Sequence, residues 1–246
     1  MRVLVTGASG AIGQPVCAEL RARGDFVRGF DRSAVGGSDA SDEFVESDLA
    51  DAARVREAVD SMDAIVHLAA IPDEAPFADL VAPNLLGLFH VFDAARVHRV
   101  RRVVLASSVQ AVGGAPAGVR GTSLRVPNNH YALTKIFAED MGEMYARRFN
   151  LKVIAARIGW MVRTPREAQR IQELGLLHWY VSRRDVAEFL HAALHCEFQG
   201  FATAYVIGPD ACEQFDLEPG KRLFGFEPRD RFPAGLPFEV PAPTGS

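Results

Sequence analysis

The chain has 246 residues, of which 48% are hydrophobic and 24% charged, a balance typical of a globular protein with a sizeable core. Its net charge of −4 gives no sign of a nucleic-acid-binding protein, and no apolar run approaches the roughly 18 residues of a membrane span. The N-terminus lacks a signal-peptide pattern and Cys17, Cys196 and Cys212 are scattered, so we expect a cytoplasmic protein with reduced thiols and no membrane or nucleic-acid partner.

Short apolar runs alternate with longer amphipathic ones, a pattern typical of βαβ units and a parallel sheet. The predicted strands are 2–6, 26–30, 43–46, 64–68, 102–106, 152–156 and 204–207. The predicted helices are 14–23, 51–61, 84–98, 130–149 and 185–196, and the third begins after Pro83 because proline disrupts a helix interior. The expected fold class is α/β: one domain, 1–246, with a Rossmann-type doubly wound parallel sheet of about seven strands flanked by helices.

The first predicted strand runs into a glycine-rich segment that a helix follows. Gly7 and Gly10 permit a tight turn and a close approach of backbone N–H groups to a pyrophosphate, while Gly13 lets the helix pack close to the strand. The helix N-terminus then faces the phosphates. A glycine triad also occurs in ordinary turns, but this context predicts a dinucleotide site formed by Gly7, Ser9, Gly10, Ala11, Ile12 and Gly13.

The second predicted strand is followed by Asp31, where a ribose-binding carboxylate is expected. Asp31 would accept hydrogen bonds from the ribose hydroxyls and repel a 2′-phosphate, which favours NAD over NADP. The guanidinium of Arg32 favours the opposite choice, because it can pair with such a phosphate. A simple turn residue after a strand is the alternative interpretation of Asp31.

Further candidate cofactor contacts follow the later strands. Asp48 can accept a hydrogen bond from the adenine amino group while Leu49 packs on the ring; an N-cap for the helix near Asp51 is the alternative. Asn84 is expected to hold a water or a backbone kink near Lys135, although a helix N-cap would look the same in sequence. Small residues at the end of the fourth strand let a nicotinamide ribose pass close to the backbone, and the remaining candidates are Leu68, Ala69, Ala70 and Ile158.

The fifth predicted strand runs into Ser107 and Ser108, at the sheet edge where doubly wound folds bind ligands. Tyr131 is followed four residues later by Lys135, a spacing that places both on one helix face. Only three of the 27 basic residues are lysines, so a chance match at this spacing is rare. An ammonium beside a phenol favours the phenolate, so Tyr131 is a candidate general base and Ser108 a partner for the substrate oxygen.

Two other segments stand out. His191 and His195 lie four apart on a predicted helix, which is metal-ligand spacing, but no acidic or third ligand is evident nearby in the sequence and we expect no metal. The segment from Pro228 to Ser246 holds five of the 14 prolines. We expect it to wrap the surface or to be partly disordered.

Taken together, these motifs resemble the extended short-chain dehydrogenase/reductase superfamily, of the NAD-dependent epimerase/dehydratase type, over roughly residues 1–230. The resemblance implies that Ser108, Tyr131 and Lys135 remove a hydroxyl proton while the neighbouring carbon gives hydride to the nicotinamide, whose ribose Lys135 also binds. It further implies a mainly NAD-binding core at 1–159, substrate-side segments and a last strand at 160–227, and a tail at 228–246. The motifs are those at 6–13, 67–70, 84–87, 107–108 and 131–135.

Within that superfamily the chain is most similar to the uronate dehydrogenases, which oxidise the anomeric carbon of a hexuronic acid. Those enzymes present an asparagine and a histidine after the catalytic serine, where this chain has Val109 and Gln110, and a serine where it has Pro72. Glucuronate and galacturonate are therefore expected to be poor substrates unless Arg166 or Arg170 clamps the carboxylate. A solvated helix face is the alternative for these arginines. The candidate substrate contacts are Asp73, Ser108, Val109, Gln110, Tyr131, Trp160 and Arg170.

The sequence thus predicts an NAD-dependent oxidoreductase that transfers hydride between the nicotinamide and a small hydroxylated, sugar-derived or acidic substrate. A sugar epimerase without net redox change and a small aldehyde or ketone reductase are the alternatives, and a non-catalytic NAD sensor has less need of Tyr131 with Lys135. The resemblance also implies a homo-oligomer, because members of the superfamily commonly dimerise through helices that correspond here to 84–98 and 130–149.

Overall fold

The structure, a computed structural model, describes residues 1–116, 118 and 120–240. Its centre is a parallel sheet of seven strands in the order β3-β2-β1-β4-β5-β6-β7. This arrangement confirms the predicted fold class. The strands are β1 (Arg2–Thr6), β2 (Phe26–Asp31), β3 (Glu43–Glu46), β4 (Ala64–His67), β5 (Arg102–Ser108), β6 (Lys152–Ile158) and β7 (Phe201–Val206).

Helices connect the strands and cover both faces of the sheet. They are α1 (Gly13–Ala22), α2 (Ala52–Val59), α3 (Phe77–Leu80), α4 (Gly87–Val97), α5 (His130–Phe149), α6 (Pro165–Glu173), α7 (Arg183–His195) and α8 (Glu218–Phe224). One core packs α1, α7 and α8 on the first face, and a second packs α2, α4 and α5 on the other. The pairing of Thr6 with His67 and of Ser108 with Ile158 brings the carboxyl ends of the strands to one edge.

The sequence missed three helices and misplaced the ends of several strands. The α3, α6 and α8 segments were not predicted, because each is short and carries proline within or beside it. β5 and β6 extend two residues beyond their predicted ends, to Ser108 and Ile158.

The predicted start of the helix at 84–98, which is α4 in the structure, was wrong. Pro83 lies inside a π-helical turn, Val81–Leu86, which joins α3 to α4 so that helical structure is continuous from Phe77 to Val97. A π turn shifts the hydrogen-bond register and can accommodate a proline that a regular α-helix would not. Asn84 therefore lies within this turn and does not cap a helix.

By length and composition alone, this stretch from Phe77 to Val97 meets the requirement for a membrane-spanning helix, which the sequence analysis did not anticipate. Its mean hydropathy is 1.2, and 44% of the apolar window is buried inside the protein. Leu88, Val91 and Phe92 contribute to the core beneath the sheet. The stretch therefore has the burial pattern of a core helix whose outer face is also apolar.

The proline-rich C-terminal segment packs against the substrate side of the fold as far as Val240. Phe232, Leu236, Phe238 and Val240 lie against the cluster that includes Ile171 of α6. Residues 241–246, at the end of the segment expected to wrap the surface, lie outside the described residues.

Candidate active site

A cleft of about 1230 Å³ opens at the carboxyl edge of the sheet. Pockets for single small molecules usually occupy about 300–1,000 Å³, so this cleft has room for a dinucleotide and a second small ligand. Its lining runs from the glycine-rich loop after β1 to the ends of β5 and β6 and on to α6. Both predicted sites, for cofactor and for substrate, therefore open into one space.

The glycine-rich loop forms one end of the cleft and needs glycine at fixed positions. Gly7 has φ +74°, and a Cβ there would lie 2.8 Å from the backbone nitrogen of Ala69. A Cβ on Gly13 would lie 2.0 Å from the carbonyl oxygen of Gly7. No side chain fits at either place, so the backbone stays exposed to a ligand. Of the predicted loop contacts, those that line the cleft are Gly7, Gly10, Ala11, Ile12 and Gly13.

Asp31 is held in a fixed orientation at the end of β2. Its carboxylate accepts hydrogen bonds from the backbone N–H groups of Ser9, at 3.0 Å, and Arg32, at 2.7 Å. Asp31 and Arg32 both line the cleft, whereas Ser9 does not. The role of Ser9 in the structure is thus to position the carboxylate.

The sequence left open whether the carboxylate after β3 contacts the adenine or caps the next helix, and the structure has a different residue, Asp48 or Asp51, in position for each role. Asp51 is the N-cap of α2, accepting from the backbone N–H groups of Ala53 and Arg54. Asp48 accepts only from the N–H of Ala50 among the described contacts, at 2.8 Å, and lines the cleft together with Leu49.

The loop after β4 contributes Leu68, Ala69 and Ala70 to the lining of the cleft. His67 beside them is buried, and its Nδ1 lies 2.8 Å from the hydroxyl of Thr6. Burial, with a smaller contribution from the charge of Lys135, lowers the pKa of His67 to about 3. His67 is therefore a neutral structural residue.

Asn84, a predicted cofactor contact, is buried and is not among the residues that line the cleft. Its side chain accepts from the N–H of Ile71 at 2.8 Å and donates to the carbonyl of Ile71 and the hydroxyl of Thr134, both at 3.1 Å. It thereby fixes the loop after β4 against the helix that carries Tyr131. The sequence suggested a kink near Lys135 but gave no sign of these partners.

The three predicted catalytic residues converge at the centre of the cleft. Ser108 ends β5, Tyr131 lies in the first turn of α5, and Lys135 follows one turn later. Asn129 caps this helix by accepting from the N–H of Ala132 at 2.7 Å. The side chain of Ser108 lies close enough to the phenol of Tyr131 to lower its pKa, and its hydroxyl accepts from the backbone N–H of Gln110 at 3.2 Å. The ammonium of Lys135 donates to the carbonyl of Ala106 at 3.0 Å and lies 5.4 Å from the centroid of the Tyr131 ring.

Burial is the main cause of the pKa shifts of Tyr131 and Lys135. It raises the pKa of Tyr131 above its ordinary value, an effect that the hydrogen bond from Ser108 opposes. Burial also lowers the pKa of Lys135 to about 8. The expectation that Lys135 lowers the pKa of the phenol is therefore not met in this arrangement, because the ammonium is directed to the Ala106 carbonyl. Tyr131 is a neutral phenol here, and base action requires it to lose its proton when substrate binds.

A buried ion pair joins α5, the helix that carries Tyr131 and Lys135, to the sheet. Glu139, one turn beyond Lys135, is fully buried and forms two 2.8 Å hydrogen bonds with the guanidinium of Arg157 on β6. Glu139 also accepts from the hydroxyl of Ser107 at 2.5 Å, and Arg157 donates to the hydroxyl of Tyr205 on β7 at 3.1 Å. This network was not predicted from the sequence, although a carboxylate one turn after Lys135 and an arginine within an apolar strand were visible signals.

The substrate side of the cleft contains every residue predicted for it. Asp73, Val109, Gln110, Trp160 and Arg170 all line the cleft. Val109 is buried, and the amide oxygen of Gln110 accepts from Asn129 at 2.7 Å. Arg166, the other predicted carboxylate clamp, is not part of the lining.

Two charged contacts at this end were not predicted. Arg163 pairs with Asp73 at 2.9 Å and with Glu167 at 2.7 Å, so its charge is already balanced. Glu74 accepts from the backbone N–H of Tyr131 at 2.9 Å, and this hydrogen bond lowers the pKa of its carboxyl. Arg163 and Asp73, like Glu74 and Tyr131, are more than 50 positions apart, a separation that a sequence pattern does not reveal.

Comparisons with known proteins agree in sequence and in structure. A sequence model of the NAD dependent epimerase/dehydratase family matches residues 3–162. The uronate dehydrogenase of Pseudomonas putida is 29% identical, over 93% of this chain and 84% of its own length. A solved structure of a mutated uronate dehydrogenase is 30% identical with a TM-score of 0.83, covering 94% of this chain and 82% of that one. The Agrobacterium tumefaciens uronate dehydrogenase was solved as a tyrosine-to-alanine mutant complexed with NAD. It is 27% identical with a TM-score of 0.79, and the match covers 93% of this chain and 84% of that one.

Proposed function

The chain belongs to the NAD dependent epimerase/dehydratase family, and from that premise we propose that it is an NAD-dependent dehydrogenase of a small sugar acid. The observation that carries the proposal is the shared cleft, where Ser108, Tyr131 and Lys135 lie between a glycine-rich loop and an arginine, Arg170. Relatives named uronate dehydrogenase, one of them complexed with NAD, support both parts of it.

The residues at one end of the cleft fit NAD. When bound, NAD supplies the acceptor for the hydride that leaves the substrate carbon. The N–H groups of the glycine loop, at the N-terminus of α1, suit its pyrophosphate. The carboxylate of Asp31 suits a ribose diol and disfavours a 2′-phosphate, and Asp48 with Leu49 suits the adenine. The backbone-only surface at Gly7 and Gly13 supports this assignment, because any side chain there would collide with the protein itself.

The three catalytic side chains have distinct roles. Ser108 donates a hydrogen bond to the substrate oxygen, and Tyr131 removes the proton of the substrate hydroxyl. Lys135, with a pKa of about 8, is largely protonated at neutral pH. Its ammonium donates to the Ala106 carbonyl in the structure, so its charge can reduce the cost of forming the phenolate only after it turns toward Tyr131. Ile158, which ends β6, and Ala70, in the loop after β4, line the same cleft.

Arg170 is the proposed partner of the substrate carboxylate. It lines the cleft and, unlike Arg163, forms no ion pair among the residues that the structure describes. A guanidinium suits a carboxylate because it can donate two parallel hydrogen bonds. In the proposed orientation, the acid group of the substrate lies toward α6 and its reacting hydroxyl lies toward Tyr131.

The opposite wall restricts which sugar acid is preferred. Val109 offers no hydrogen bond, and the amide oxygen of Gln110 is already engaged by Asn129. Each hydrogen bond that a substrate hydroxyl loses costs about 0.5–1.5 kcal/mol. We therefore expect lower kcat/KM for glucuronate and galacturonate than for a sugar acid with fewer hydroxyls on this side.

Replacing Arg170 tests the carboxylate assignment. Hydrogen bonds to a charged group are worth about 1.5–3 kcal/mol, so Arg170→Met should lower kcat/KM for sugar acids roughly 10- to 150-fold. Rates with the matched neutral aldoses, glucose and galactose, should not change. Arg166→Met is the matched control, because Arg166 lies on the same helix outside the cleft lining, and it should leave both substrate classes unaffected. An equal loss for acids and neutral aldoses, or no loss, would contradict the role of Arg170.

We further propose a homo-oligomer and a cytoplasmic location. Large apolar side chains are exposed along the stretch from Phe77 to Val97 and on the adjoining α5, which is unusual for a monomer surface. The three free cysteines, of which Cys17 is buried, suit a reducing compartment.

A further inference from the structure

Three side chains with metal-ligand chemistry meet at the end of the sheet opposite the cleft. His191 and His195 lie one turn apart near the C-terminus of α7, and their rings stack with centroids 4.5 Å apart. Asp25 directly precedes β2. One ligand atom from each of the three lies within 4.8 Å of the others. The sequence suggested the histidine pair but not the carboxylate, which comes from about 170 residues away along the chain.

The Asp25 carboxylate is the fixed part of this cluster. Its side chain is only 4% exposed, and it accepts from Nε2 of His195 at 2.8 Å and from the amino group of Met1 at 2.7 Å. A plain hydrogen bond between Asp25 and His195 would account for those two residues. That bond does not involve His191, whose Nδ1 lies within hydrogen-bonding distance of the guanidinium of Arg23, at 3.4 Å.

We propose that Asp25, His191 and His195 form a binding site for a divalent transition-metal ion of the zinc class. Two imidazoles and one carboxylate are ligands that Zn²⁺ accepts in proteins, with water as a fourth ligand. Ligands about 2.0–2.1 Å from a tetrahedral ion lie roughly 3.3 Å from one another. The atoms of the cluster therefore need only small movements to reach this geometry.

Two neighbouring cations oppose the ion and set the expected affinity. Binding requires Arg23 to leave His191, and Arg23 has an alternative partner in Glu19, whose Oε1 lies 2.5 Å from its Nε. The Met1 amino group already balances part of the charge of Asp25. The site should therefore bind more weakly than a structural zinc site built without nearby cations.

The site would tie α7 to the turn between α1 and β2, on the far side of the sheet from Tyr131. Its expected effect is therefore on stability and not on catalysis, because an ion that binds only the folded state raises the unfolding temperature. Nothing in this inference depends on the proposed function.

The test uses the full-length protein, stripped of metal with a chelator, and zinc chloride as the probe. Equilibrium dialysis should show one zinc ion per chain, and the unfolding temperature should rise with zinc concentration. His191→Ala should weaken binding by about 10- to 100-fold or more and abolish this rise. Arg23→Ala should bind zinc more tightly than the unchanged protein, because it removes the competing cation.

His98→Ala is the matched control, since His98 pairs with a single carboxylate, Asp60, and has no second histidine as partner. It should keep the full response to zinc. His191 is partly exposed, so its replacement should not prevent folding, and the dialysis count does not depend on stability. The proposal is overturned if the unchanged protein binds no zinc, if His191→Ala binds it equally well, or if Arg23→Ala binds it less tightly.

Discussion

The carboxylate of Asp31 accepts hydrogen bonds from two backbone amides, Ser9 and Arg32, which fix its direction at the end of β2. A carboxylate held in this way suits the two hydroxyls of an adenosine ribose and repels a phosphate at the 2′ position. The adjacent guanidinium of Arg32 has the opposite preference. Cofactor choice therefore depends on the balance between these two opposite charges.

Asp31→Ser should weaken NAD binding and narrow or invert the preference for NAD over NADP, because Arg32 is then free to engage the 2′-phosphate. Titration of both cofactors into the unchanged protein and the variant measures this. Asp39→Ser, an exposed carboxylate outside the cleft lining, should leave both affinities as they were. A preference of the unchanged protein for NADP would show that Asp31 is misassigned.

Residues predicted from local patterns are those that the structure brings together. Gly7, Gly13, Tyr131 and Lys135 follow from spacings within one turn or one helix, and such spacings are fixed by backbone geometry. The pairing of Asp73 with Arg163 depends on loop conformations 90 residues apart, which carry no sequence period. The pKa of Tyr131 likewise depends on burial by the whole fold, so the pair with Lys135 predicted its position but not its protonation.

At the scale of elements, helix α5 carries Tyr131 and Lys135, two of the proposed catalytic residues, and is joined to the sheet by a buried ion pair. Glu139 and Arg157 are both fully buried and connect α5 to β6, with Ser107 of β5 as a third partner. Removing one member of a buried pair costs about 3–5 kcal/mol when the other is left charged and poorly paired. Without Arg157, Glu139 would keep only Arg125 as a charged partner among the described residues, and Arg125 is partly exposed and 3.5 Å away. The position of Tyr131 relative to Ser108 should depend on this contact.

Arg157→Met should accordingly lower the free energy of unfolding by about 3–5 kcal/mol, as measured by urea denaturation. Arg54→Ala breaks an exposed pair with Glu57 and should cost less than about 1 kcal/mol. The double replacement of Glu139 by Leu and Arg157 by Met should recover much of the loss, since no buried charge remains. A single Arg157→Met variant as stable as the unchanged protein would contradict this account of α5.

The elements themselves were predictable where hydrophobic periodicity was strong. All seven strands and five of the helices follow from that periodicity, because each buries an apolar run against a neighbour. The π-helical turn that contains Pro83 was not predictable in this way, because a proline normally ends an α-helix and nothing in the local sequence indicates a π turn. α6, which brings Arg170 to the cleft, has a narrow apolar face with only Ala168 and Ile171 buried, so its pattern was weak.

At the scale of the whole molecule, the family membership and the sheet order confirm the resemblance that the motifs predicted. Alternating strands and helices permit few arrangements other than a doubly wound sheet. The apolar outer faces of α4 and α5 have no such simple explanation within one chain. Leu86 and Phe89 on one side, with Leu133 and Phe137 on the other, are each more than 40% exposed.

These four side chains should be covered by a second copy of the chain. Phe137→Lys should then reduce the molecular mass measured by size-exclusion chromatography with light scattering, since a charge at the centre of an apolar interface is unfavourable. Val35→Lys is the control, because Val35 is an exposed apolar residue outside α4 and α5. An unchanged protein that is monomeric at micromolar concentration would rule out this interface.

The central claim is that Tyr131 acts as the base in an NAD-dependent oxidation, and NADH formation by the unchanged protein and by Tyr131→Phe measures it most directly. With NAD and a panel of sugar acids, the unchanged protein should form NADH in proportion to the acid consumed. Tyr131→Phe should lower kcat by about 10²- to 10⁴-fold, the usual contribution of a positioned base, while NAD affinity barely changes. Isomerised sugar acid without NADH would indicate an epimerase, and near-normal turnover by Tyr131→Phe would contradict the mechanism itself.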